Sequence, residues 1–185
     1  MITGTGESGV DTAAAPLVAV LLPVWNAAAT LPAGVVYRDR QGTLERFTGD
    51  GLMVFFNDPL PCPDPAARAV RMAVGMRQRM RELTETWRKS MHQLDFGVGI
   101  AQGYATVGMI GFESRVDYAA IGSVTNLAAR LCAEAGGGQI LISQRVFAAV
   151  EELVHAEILG EHAFKGSRAL PVFNVVGLKD SEAHR

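Results

Sequence analysis

Asp50 stands between two glycines, in Gly49-Asp50-Gly51, where one apolar run ends and another begins. A carboxylate at such a tip can hold a cation or bond to its own turn backbone, and the local sequence puts the structural role first. Asn126 and Arg130 lie four apart in a stretch of small and apolar residues, so on a helix they share one face. An amide beside a guanidinium can read a sugar hydroxyl and a phosphate. A polar pair bordering an interface is the equal alternative. The glycine-rich run from Gly97 to Gly103 is one residue too long for a dinucleotide fingerprint, and a strand rather than a helix is expected after it. Neither a P-loop nor a G-x-S-x-G nucleophile turn occurs. His92, His155, His162 and His184 lack the spacing of metal ligands.

These residues belong to a chain of 185, a length that points to one domain. With 49% apolar and 19% charged residues it can bury an ordinary core, which excludes a disordered tail or a coiled-coil rod. Seventeen basic residues against nineteen acidic ones give a net charge of −2, so the chain lacks the positive field of a nucleic-acid module. Cys62 and Cys132 make neither a disulfide framework nor a zinc site, and a reduced, cytoplasmic setting is expected. No charge occurs from Thr12 to Tyr37, but Pro16, Pro23 and Pro32 interrupt the run and no basic residue precedes it. A membrane span or secretory leader is therefore not expected, and residues 1–41 read as an irregular lead-in.

Beyond Gly42 the pattern predicts a hairpin, with strands from Leu44 to Thr48 and from Leu52 to Phe56 about the Asp-Gly turn. A loop follows to Pro65. Asp64 as N-cap and Pro65 at the first helical position open a long helix, with Ala69, Ala73, Met76, Met80, Leu83 and Trp87 on its apolar face. Arg68, Arg71, Arg77, Arg79 and Arg81 precede any acid on that helix; a solvated side is expected in preference to an anion-binding face. Strands are predicted from Phe96 to Ala101 and from Tyr104 to Ile110, joined by Gln102-Gly103, with Val116–Ile121 extending that sheet. A second helix runs from a Ser123 cap to Ala135 and stops at Gly136-Gly137-Gly138. Ile140–Ile142 is a buried strand, Ser143 caps a short helix, and Leu170–Val176 closes the sheet. The sum is an α+β architecture, a mostly antiparallel sheet with helices on one face.

Taken together, GTLERFTGDGLMVFF (42–56), DPAARAVRMAVGM (64–76), FGVGIAQGYATVGMIG (96–111), DYAAIGSVTNLAARL (117–131) and GQILIS (138–143) resemble the catalytic domain of class III nucleotidyl cyclases. FKGSRALPVFNV (164–175) matches more loosely. The resemblance divides the chain into an atypical lead-in, 1–41, a cyclase domain, 42–178, and a polar tail, 179–185. It implies a ferredoxin-like fold, a dimer with sites at its interface, and conversion of ATP or GTP to a 3′,5′-cyclic monophosphate and pyrophosphate. It also implies two Mg²⁺ or Mn²⁺ ions on two aspartates. By resemblance Asp50 is one metal aspartate, Asn126 orients the ribose, Arg130 steadies the reacting phosphate and Lys165 binds the triphosphate. Asp50 would act with Asn126, Arg130 and Lys165 of the other subunit.

Two departures from the family pattern stand out. The base-reading positions fall on Arg46 and Ala119. Arg46 donates only, so it could meet adenine N1 or N7 or guanine O6 and N7, and Ala119 offers no polar group; Glu45, the guanine-type residue, is expected on the opposite face of the strand, so adenine is favoured only weakly. The other metal aspartate belongs to a first-strand pattern like F-x-D-x-x-G-F-T, and no such pattern occurs. Asp11 lies in GESGVDTAAAP, without strand or turn, and Asp39 is too near the second strand. The missing strand is expected to leave a sheet edge uncovered unless residues 17–36 substitute. The expected function is a purine nucleotidyl cyclase, as a homodimer or heterodimer. The alternative is a catalytically deficient domain that regulates, dimerises or donates a half-site. An RNA-binding ferredoxin-like module is disfavoured, because 96–111 offers only Phe96 and Tyr104 for stacking.

Overall fold

The structure is a computed structural model that describes residues 16–23, 42–48, 51–87, 97–112, 115–164 and 168–179. Nine strands and three helices lie among them: β1 (Pro16–Pro23), β2 (Thr43–Thr48), β3 (Gly51–Phe56), α1 (Pro65–Trp87), β4 (Val98–Tyr104), β5 (Thr106–Phe112), β6 (Arg115–Ile121), α2 (Ser123–Glu134), β7 (Ile140–Ser143), α3 (Gln144–Val150), β8 (Val154–His162) and β9 (Leu170–Leu178). The main sheet has the order β2-β3-β1-β4-β7-β9-β8, and β5 pairs with β6 in a separate ribbon. Every pairing is antiparallel except β4 with β7.

The lead-in is where the structure departs most from expectation. Part of it substitutes for the missing strand: β1 lies inside the sheet, paired from Val18↔Phe56 to Pro23↔Gly51 on one side and from Pro16↔Tyr104 to Leu21↔Gly99 on the other. Two of the prolines read as interruptions delimit the strand, the position where a missing N–H costs least. Within the run, β1 has its apolar side chains buried on both faces; Leu17, Val18, Ala19 and Val20 are at most 1% exposed. Each such Leu or Val is worth about 1.5–3 kcal/mol when fully buried.

Strand alternation sends successive residues of β1 into two cores. Val18 and Val20 join Val54, Phe56 and Ile100 against Ala69, Ala73 and Met76 of α1 and Val146 and Val150 of α3. Leu17 and Ala19 join Phe55 and Ala101 against Val124, Ala128 and Leu131 of α2. The α+β class stands, but the helices are not gathered on one face. Central strands apolar at every position need cover on both sides.

Two further expectations are corrected, and one strand not expected from the sequence is present. β4 and β5 do not form a hairpin: β4 runs on to Tyr104 inside the main sheet, and β5 leaves after Ala105 to pair with β6, from Thr106↔Ile121 to Phe112↔Arg115. Strand β8 follows α3, at the edge beyond β9. Its charges and its irregular register around His155 and Gly160, where φ is +90°, hide the strand pattern in sequence. Neither serine caps through its side chain: Gly122 is the N-cap of α2, and Ser143 precedes α3 without a side-chain cap bond.

Helix α1 starts as expected, with the Arg68 amide on the Asp64 carbonyl at 3.0 Å. The Asp64 carboxylate accepts from Arg68 Nε at 2.6 Å and from Arg71 Nη1 at 3.4 Å. Arg77 is not on a solvated side. It is buried and donates to the carbonyls of Val175 at 2.8 Å, Val176 at 2.6 Å and Gly138 at 3.3 Å, tying α1 to β9. Burial, and then the charge of Arg81, lowers its pKa from the ordinary value. Removing a buried charged donor strands its acceptors. Arg77→Ala is expected to cost about 3 kcal/mol by urea unfolding, and Arg77→Lys to recover part of it; an unchanged midpoint would contradict the clamp.

Candidate active site

Helix α2 carries Asn126 and Arg130, and its seat is made of glycine. A Cβ on Gly99 would overlap the Ala128 carbonyl and the Cys132 amide, and one on Gly97 would come within 2.8 Å of the Ala135 carbonyl oxygen. The Gly97–Gly99 segment is therefore the bed of a helix packed backbone to backbone on β4, not a phosphate loop. Val124, Ala128 and Leu131 face that bed. Asn126 is exposed and Arg130 half-buried on the outer side. The shared face expected from their spacing is present. Thr125 Oγ1 donates to the Gly122 carbonyl at 2.8 Å in the first turn. The Ala135 amide reaches Leu131 O at 3.0 Å in the last.

The other residues singled out from the sequence lie elsewhere. Arg46 is in β2, opposite Met53, just past a register shift after Leu44. Thr48 pairs with Gly51 and flanks positions 49 and 50; Asp50 itself lies outside the described residues. Lys165 does too, between buried Phe164 and exposed Arg168 in the β8–β9 connection. Ala119 is in β6, paired with Gly108, and is 3% exposed. Helix α2 packs on β1, β4 and β7, while β2 is the edge strand beyond β3. The strands bearing Arg46 and flanking Asp50 are thus separated within one chain from the helix bearing Asn126 and Arg130.

A contact that the sequence does not announce ties β6 to the sheet. Tyr118, beside Ala119, donates its hydroxyl to the Asp58 carboxylate, and its ring centroid lies 6.1 Å from that of Phe55. The Asp58 carbonyl accepts from Thr43 Oγ1 at 2.7 Å. The loop after β3 therefore joins β2 to β6, the strands of Arg46 and Ala119. Desolvation, then the hydrogen bond and charge of Asp58, push the Tyr118 phenol up to about 12.

The family described as the adenylate and guanylate cyclase catalytic domain matches residues 44–177. The chain belongs to that cyclase family. Adenylate cyclase 1 of Rhizobium meliloti (strain 1021) is 32% identical over 141 residues, 74% of this chain and 21% of that protein. The crystal structure of the adenylyl cyclase CyaB from P. aeruginosa superposes with a TM-score of 0.85 at 29% identity, covering 92% of this chain and 98% of that one. The guanylyl cyclase Cya2 gives 0.80 at 26% identity, covering 93% and 97%. This cyclase chain spans about a fifth of the length of the curated relatives it matches.

The cyclase strand β1, PLVAVLLP, contains no carboxylate, although its end pairs with Gly51 next to the Asp50 position. Among the described residues no cluster of three His, Cys, Asp or Glu could hold a metal ion. The two-aspartate cradle that the family resemblance implies does not fit this strand, which offers no carboxylate. No described helix is long and apolar enough to cross a membrane.

Gly99→Ala is expected to lower stability by about 3 kcal/mol or more, because the helix backbone must shift; a neutral result in urea unfolding would refute the seat. Tyr118 supplies a second check. Its folded pKa lies above the ordinary 10.0, so its contribution is complete below pH 10 and declines as pH rises toward 12. Ultraviolet titration of the phenols should show one late component, near pH 12, that Tyr118→Phe removes.

Proposed function

We propose that this chain forms the catalytic unit of a purine nucleotidyl cyclase, turning ATP, weakly preferred over GTP, into the 3′,5′-cyclic monophosphate and pyrophosphate. The observation that carries this reading is the Asn126–Arg130 face of α2, held outward on a glycine bed in a chain of the cyclase family. An amide can hold the ribose so that its 3′-oxygen lies in line with the α-phosphorus. A guanidinium can neutralise charge that grows on that phosphate in the transition state. Lys165 would grip the outer phosphates as a point charge. Arg46 and Ala119 would border the base, the first donating and the second silent. Cyclases of this family are expected to use Mg²⁺ or Mn²⁺, which neutralises the triphosphate when bound. Here Asp50 is the one family carboxylate, so turnover by this chain alone is expected to be slow.

The separation of α2 from the β2–β3 hairpin supports a dimer in which each chain completes the other's site. A cytoplasmic location in a signalling pathway fits a chain whose two cysteines, Cys62 and Cys132, form no disulfide. The carboxylate-free β1 supports one second reading, a half-site donor that lends Asn126, Arg130 and Lys165 to a partner with both aspartates.

The full chain incubated with ATP or GTP and Mn²⁺, with cyclic nucleotide measured by mass spectrometry, tests the assignment. Arg130→Ala is expected to lower the rate about 100-fold at unchanged fold, and Asp50→Ala to abolish product. Product that survives both changes would sink the proposed site. No product from the chain alone, regained on mixing with a metal-competent cyclase domain that lacks its own Asn and Arg, would favour the half-site reading.

A further inference from the structure

The strands that carry Arg46 and Ala119, the residues proposed to border the base, belong to different sheets. Arg46 lies on β2, an edge strand laddered to β3, and Ala119 lies on β6, laddered to β5. The two strands approach each other, yet among the described strands no ladder joins them. The gap between them must be set by other contacts.

Asp58, in the loop after β3, supplies a link to each strand. Its carbonyl accepts from Thr43 Oγ1 at 2.7 Å, and its carboxylate accepts from the Tyr118 hydroxyl. Thr43 lies three residues before Arg46, and Tyr118 immediately precedes Ala119. The register of β2 shifts between Leu44 and Arg46, so the Thr43 bond secures the strand just ahead of an irregularity in its ladder. Thr43 also pairs with Phe55, whose ring meets that of Tyr118. The loop is anchored in turn, because Asn57, at φ +79°, accepts the Cys62 amide through Oδ1 at 2.9 Å. A hydrogen bond to a charged acceptor is stronger than a neutral one. The Tyr118 phenol, pushed up to about 12 by desolvation and then by Asp58, remains a donor at neutral pH.

We propose that Asp58 and Tyr118 are positioning residues for the purine base, setting the separation of β2 and β6 at the positions that border it. This assignment rests on the cyclase reading, which puts the base there. Neither residue has to touch the nucleotide. A few tenths of an ångström separate a good hydrogen bond from a poor one, so strand spacing decides which base edge a donor on β2 can reach. Ala119 adds no polar group, which leaves the fit to spacing rather than to a second side-chain bond. The triphosphate is assigned to Arg130 and Lys165, on α2 and in the β8–β9 connection, apart from the Asp58 link. Base and phosphate binding are therefore separable.

The test is calorimetric titration of the full chain, with Mn²⁺, against 3′-deoxy-ATP, 3′-deoxy-GTP and inorganic tripolyphosphate. The deoxynucleotides cannot cyclise, so turnover plays no part. Tyr118→Phe keeps a ring against Phe55 and removes the link; it is expected to weaken the better-bound nucleotide about tenfold and to leave tripolyphosphate unchanged. Asp58→Ala is expected to match it, with the double variant no weaker than either alone. Asp58→Asn, whose amide oxygen still accepts, is expected to keep most of the affinity. Thr43→Val breaks the other arm and is expected to give the same pattern, with circular dichroism checking the fold of each variant. Unchanged nucleotide affinity in Tyr118→Phe, equal losses for nucleotide and tripolyphosphate, or additive losses in the double variant would overturn the positioning role and leave the cyclase reading intact. Failure of the unaltered chain to bind either nucleotide would overturn the cyclase reading and this assignment with it.

Discussion

Burial of β1 on both faces and along both edges is the constraint on which the rest depends. It joins β3, and through it the β2 hairpin, to β4, β7 and the β8–β9 pair. Without it the sheet would divide into a hairpin and a four-stranded remnant, each with an open edge and apolar faces. The strand meets both cores through residues of one character, since alternation sends Leu17 and Ala19 one way and Val18 and Val20 the other. A charge at any of these positions would be buried without a partner. The lack of a carboxylate in β1 is thus compatible with its structural duty and leaves Asp50 without a companion from that strand.

Close approach of backbones is the second organising feature. Gly97 and Gly99 let α2 lie directly on β4, and that contact fixes which side of the helix faces outward. Asn126 and Arg130 gain their shared, accessible position from it, as much as from their spacing. One helix consequently has a polar outer side and a packed inner side. Arg77 and Tyr118 do comparable work at a distance, by tying α1 to β9 and β6 to the loop after β3.

Much of the fold was legible from local signals. The β2–β3 hairpin, helix α1 from Pro65, helix α2 with its glycine stop, and strands β7 and β9 all follow from periodicity and turn chemistry. Strand β8 was not, since edge position, bulges and charges blur its alternation. Nor was the parting of β4 and β5: a Gln-Gly pair between apolar runs looks like a turn whether the strands pair together or diverge. Arg77 looked like a member of a solvated basic face because its acceptors, on β9 and at Gly138, are far away in sequence. The pairing of Tyr118 with Asp58 is hidden for the same reason.

The sequence by itself determined the family, through several spaced motifs in order, and the candidate residues Asn126, Arg130, Arg46, Ala119, Asp50 and Lys165. It also determined that no aspartate follows the family pattern in the lead-in, because that is a statement about which letters are present. Only the tertiary structure decided that Pro16–Pro23 is an inner strand, that helices cover both faces, and that Asp58 links β2 to β6. The physical reason is the range of the interactions. Turns, caps and helical faces are set by neighbours a few residues apart. Strand partners, helix seats and buried acceptors are set by segments that meet only once the chain has folded.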